Sequence, residues 1–172
     1  MLETPEDALN LLRQLDAPHR LIRHLELVGE VGSEITSKLD KLGVRYNKCF
    51  VLLGIALHDA GKIMHPEELD QSGNKHEAAG EILLQQNGIG KDLARCCRSH
   101  SQYDRIEASF EELLIALSDK LWKGKRVSEL ELQVIDEIAA RLSVDRWELF
   151  GDLDSLFEEI AANGDTRLSR SL

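Results

Sequence analysis

The chain has 172 residues, 42% of them hydrophobic, 30% charged and 5% aromatic, and a formal net charge of −10. That is enough for one globular domain with a sizeable core and short for two. The acidity, with a pI near 5.1, excludes broad electrostatic affinity for a nucleic-acid backbone, and the longest apolar run, CFVLLGIAL, falls far short of the roughly 20 residues that a membrane span needs.

Abundant Leu, Ile, Ala and Glu favour helices, and no alternating strand pattern or hairpin signal stands out. Prolines 5, 18 and 66 each stand where a helix can begin, because the first turn has no use for the missing N–H. Leu21, Leu25, Val28, Gly32, Ile35, Leu39 and Leu42 recur at three and four residues and predict one long amphipathic helix stopped by Gly43. A short, nearly all-apolar central helix follows over 47–60, then helices over about 75–86, 90–100, 109–122 and 127–142. The last starts near Val144, carries Leu149, Leu153, Leu156, Phe157 and Ile160, and either completes the core or forms the seam of a homodimer. The polar tail GDTRLSRSL, 164–172, reads as frayed. The expectation is a single all-α domain over 1–172, a bundle of about seven helices.

Three cysteines, Cys49, Cys96 and Cys97, make a poor disulfide framework and contain no CxxC pair for a thiolate zinc site. The acidic start MLETPEDALN has no apolar stretch like a signal peptide, so the expected compartment is cytoplasmic.

The residues with most to explain are His58 and Asp59, a metal-loving pair at the end of the apolar central helix. His24 borders the apolar stripe of the long helix, and His76 shares a face with Ala79, Gly80 and Leu83. His100 falls four residues after Cys96, and Asp119 four after Ile115. Any one of these alone is ordinarily a hydrogen-bonded core residue, a cap or an ion-pair partner. Burying four histidines and two aspartates together without a cation would accumulate desolvation cost with nothing to offset it. One metal centre accounts for all six.

The order His24, then His58-Asp59, then Asp119 resembles the HD-domain metal-dependent phosphohydrolase superfamily. The stretch HDAGK is similar to that family's HDxxGK variant, and KHEAAGEILL followed by His100 resembles the extension of its two-metal members. The resemblance covers roughly residues 20–125, the expected metal-bearing part, with the C-terminal helices over 127–163 beyond it. After His100 the chain reads SQYDR, without the GYP signature of the cyclic-di-GMP enzymes. The resemblance implies that His24, His58, Asp59 and Asp119 hold a first metal, and that Asp59 bridges to a second held by His76 and His100. Imidazole and carboxylate donors suit Mn, Fe, Ni, Co or Zn, as one ion or two.

Asp59 and Lys62 are the expected catalytic residues. Lys62, three residues after Asp59, is a substrate-facing cation in what the resemblance implies, and otherwise a helix-end cation on free carbonyls. His65, opening HPEEL, is a weaker candidate beside the site. Lys123 and Arg126, in the run KLWKGKR, lie on the face of Asp119 if the helix continues past Gly124; the competing reading of the run is a solvated surface. The implied activity is hydrolysis of a phosphomonoester or phosphodiester in a small molecule, a nucleotide first of all. A di-iron oxygenase and a non-catalytic nucleotide-binding or signalling module are the alternatives.

Overall fold

The computed structural model describes residues 1–172 as ten α-helices and two short 3₁₀ turns, with no strand. Helix α1 (Pro5–Gln14) opens with a reciprocal cap between Thr4 and Asp7. Helix α2 (His19–Leu42) buries the predicted stripe and ends at Gly43, whose φ of 76° places it in the left-handed region where glycine costs least.

Helix α3 (Lys48–Leu57) and helix α7 (Phe110–Leu121) form the centre of the bundle. Both are buried along most of their length because nearly every face of each is apolar. Glycines let the backbones close up. A Cβ on Gly32 of α2 would fall 2.3 Å from Ile55 Cδ1, and one on Gly54 of α3 would fall 2.3 Å from Ile115 Cδ1.

Around this centre lie α4 (Lys75–Gln86), α5 (Lys91–Ala94), α6 (Cys96–Gln102), α8 (Ser128–Leu142), α9 (Arg146–Ala162) and α10 (Gly164–Arg170). Helix α9 buries Leu149, Leu153, Phe157 and Ile160, so it completes the core. One continuous hydrophobic cluster runs from Ala8 to Ile160. No helix is long and apolar enough to cross a membrane.

The fold is all-α as expected, and its ten helices exceed the expected seven by α1, by a break within 90–100 and by a helical tail. The segment 90–100 is two helices, broken at Arg95. The central helix stops at Leu57, and His58 and Asp59 lead into a 3₁₀ turn, Ala60–Ile63; Pro66 likewise opens only a 3₁₀ turn, Pro66–Leu69. The tail is not frayed over 164–170. It is helix α10, anchored by Arg167, whose side chain is buried and donates to the carbonyls of Trp122 and Ile160. Gly164 lies so close to the turn at Gly124 that a Cβ would sit 2.5 Å from the Gly124 nitrogen.

Candidate metal centre

The site is assembled by close backbone contacts. The 3₁₀ turn after Asp59 runs under the start of α4, where a Cβ on Gly61 would fall 1.8 Å from the His76 carbonyl oxygen. Only glycine fits there, which explains the Gly of HDAGK: it lets α4 descend far enough to bring His76 beside Asp59. At Gly80 of α4, a Cβ would sit 2.8 Å from the Gly61 nitrogen and 2.9 Å from Cys97 Sγ, and this close approach of α6 carries His100 to the same place.

All six candidate ligands converge. Donor atoms of His24, His58, Asp59 and Asp119 lie within 4.8 Å of one another, as do those of Asp59, His76 and His100. Asp59 belongs to both groups. Its Oδ2 is 2.9 Å from His24 Nε2 and 2.9 Å from Lys62 Nζ. Its Oδ1 is 3.3 Å from His76 Nε2 and 3.5 Å from His100 Nε2. His58 Nε2 is 3.3 Å from Asp119 Oδ1.

The protons on three of these rings are fixed by partners that cannot donate. His58 Nδ1 donates to the Ile55 carbonyl at 2.7 Å, and His100 Nδ1 to the Cys96 carbonyl at 3.0 Å. His76 Nδ1 donates to the Glu68 carboxylate at 2.5 Å. In the neutral rings each Nε2 is therefore a lone pair, and each is aimed at a carboxylate oxygen. Asp59 Oδ1 approaches two of them too poorly aligned for a hydrogen bond and has no partner, although it is buried. Facing lone pairs with an orphaned anionic oxygen between them are what a cation relieves, and the residues fit a divalent metal. Cys96 and Cys97 take no part; their thiols point at the carbonyls of Gly54 and Leu57.

Burial should lower His58, but the Asp59 charge and the Asp119 hydrogen bond outweigh it and push it up to about 9. Burial should raise Asp59, yet the charge of His58 and the hydrogen bond with His24 hold it well below the usual carboxylate range. A proton on His58 thus compensates the aspartates when no metal does. Because His58 is raised above its ordinary 6.5, its stabilising effect is complete below pH 6.5 and vanishes as pH climbs through about 9. His76 is raised as well, and burial lowers His100, which matters only below 6.5. Chelator-treated protein is therefore expected to lose on the order of a few kcal/mol of stability between pH 6.5 and 9. A melting temperature that is flat or rises over that interval would contradict the assignment.

The other predicted residues divide. Lys62 and Lys123 line the cavity that opens over the two groups. His65 does not; its Nδ1 lies 3.4 Å from Glu67 Oε1. Arg126 is a correction. The helix does not continue past Gly124, whose φ of 84° reverses the chain, and Arg126 is engaged by Glu131 and Asp154 away from the cavity. Arg20 and Lys120 complete the cationic lining. Glu68, which orients His76, is the residue that periodicity gives no means of finding.

The HD domain family pattern matches residues 21–140. This is well over half of the chain and spans all six converging side chains, so the protein belongs to the HD domain family, whose members are mostly metal-dependent hydrolases. No curated protein and no solved structure matches it.

Proposed function

We propose that the chain is a metal-dependent phosphohydrolase acting on a phosphomonoester or phosphodiester of a small molecule, with nucleotides the first substrates to test. The observation that carries this reading is Asp59: one buried carboxylate with an oxygen toward each of two histidine groups, one oxygen lacking any partner. A bridging carboxylate between two such groups supports two ions of the Mn, Fe, Ni, Co or Zn kind. Bound there, they would polarise a phosphoryl oxygen and make water a stronger nucleophile near neutral pH.

The chain's own residues supply the rest. His24, His58 and Asp119 on one side and His76 and His100 on the other hold the centre, with Asp59 between. Lys62, tethered to Asp59 Oδ2, sets a fixed positive charge beside the reacting group, where negative charge grows during phosphoryl transfer. Arg20, Lys120 and Lys123 gather an anion toward the cavity despite the acidity of the whole protein. No serine or cysteine stands among the converging groups beside a base, which supports direct attack by water over a protein nucleophile. Free cysteines suit a cytoplasmic protein.

Phosphate release from a panel of nucleotides and phosphodiesters, with Mn added, is the test, and turnover of at least one class is expected. A folded, metal-loaded protein that releases nothing from the whole panel would refute the hydrolase. Substrate-dependent oxygen uptake by an iron-loaded sample would assign the site to oxygenase chemistry instead.

A further inference from the structure

The cavity over the histidines has a volume of about 390 Å³, inside the roughly 300–1,000 Å³ that small-molecule sites occupy. Of the 16 residues that line it, only Leu69, Trp122 and Leu168 are hydrophobic. Trp122 is almost wholly covered, its ring set edge-on against His24 with centroids 4.7 Å apart. Leu168 is different: it is 38% exposed, it comes from α10, and α10 lies beyond the stretch 21–140 that matches the family. Ser171, next to the chain's end, lines the same cavity.

Helix α10 is held in that position from several directions. Gly164 seats on Gly124 without room for a Cβ. The buried Arg167 donates to the Trp122 carbonyl and so joins α10 to the residue that packs on His24. Arg170 makes a two-pronged pair with Glu30 of α2, at 2.7 and 2.9 Å, and Arg23 Nε donates to the Arg170 carbonyl at 3.1 Å. A seven-residue helix with this many attachments is a fixed wall.

We infer that α10 is the specificity wall of the cavity, and that Leu168 is the specificity-determining residue that packs against the organic portion of the substrate. This rests on the phosphoester reading above. The polar side of the cavity, with Lys62, Lys120 and Lys123, takes the phosphoryl group whatever it is attached to. The apolar surface of Leu168 then favours esters with a flat or apolar organic group over inorganic phosphate. A side chain there discriminates by the contact area it offers, and one small change of fit in an apolar contact is worth about tenfold or more.

Calorimetric titration of Mn-loaded protein with inorganic phosphate and with phenylphosphonate, an analogue of phenyl phosphate without the hydrolysable P–O–C link, tests it. Leu168→Ala is expected to weaken phenylphosphonate about tenfold and to leave inorganic phosphate unchanged, while Leu168→Met restores the preference. Because Leu168 is partly exposed, neither change threatens the fold. If the alanine variant binds both probes like the unsubstituted protein, or loses both equally, the wall is refuted and the phosphoester reading stands. If the unsubstituted, Mn-loaded protein binds neither probe, the phosphoester reading fails and takes the wall with it.

Discussion

Asp59→Ala is expected to lose metal and turnover together. The variant keeps all four histidines, yet it removes the one carboxylate common to both groups, leaving His24, His58 and Asp119 on one side and only His76 and His100 on the other. Two imidazoles are too few to hold a divalent ion against water, so the His76–His100 side should empty completely. Turnover should fall by more than the roughly 100-fold that changes to outer partners of a metal site can reach. Metal content by mass spectrometry and phosphate release from the best substrate of the panel provide the check. The fold should survive, because the variant also removes a buried charge whose attraction raised His58. Full metal content with full activity would remove Asp59 from the centre of the proposal.

Gly61→Ala is expected to be the most damaging single-methyl change in the chain. The added Cβ would lie 1.8 Å from the His76 carbonyl oxygen, 2.6 Å from the carbonyl carbon and 2.7 Å from the Gly80 nitrogen. All three are backbone atoms, so no side chain can swing aside and α4 must move as a body. Overpacking of a well-filled core typically costs about 1–3 kcal/mol, and a clash with backbone belongs at the upper end. At roughly 2–4 °C per kcal/mol for a chain of this size, the melting temperature should drop by several degrees. His76 moves with α4, so metal affinity should fall as well. Gly29→Ala is the control of opposite sign: nothing lies within 4 Å of its Cβ, and replacing a mid-helix glycine should stabilise by about 0.5–1 kcal/mol. Equal melting temperatures for the two variants would mean that α4 does not rest on Gly61.

What could be read from the sequence was whatever repeats or stands adjacent. The α2 stripe and its Gly43 stop follow from 3.6-residue periodicity, and His58 with Asp59 is conspicuous because two polar side chains end an apolar run. His24, His76, His100 and Asp119 each stand in register with an apolar face, so their convergence on one place follows once the helices pack. What could not be read depends on contacts across the fold. A helix through Gly124 would put Arg126 on the face of Asp119, whereas the packing of Gly164 on that glycine favours a reversal there. Helix α10 looks like a polar tail because its anchor is Arg167, a cation made compatible with burial only by the carbonyls of Trp122 and Ile160. The break at Arg95 has neither glycine nor proline to announce it.

Glu68 is the feature with the widest reach. Its Oε1 accepts the Lys75 N–H and its Oε2 the His76 N–H, both at 3.1 Å, while the same Oε2 takes the proton of His76 Nδ1. Asn74 gives α4 no side-chain cap, so this one carboxylate both starts the helix and aims the imidazole. A drift at position 68 could not exchange durability for reactivity, as changes near catalytic centres often do. Selection for a long-lived protein and selection for a working one would act on the same atoms in the same direction.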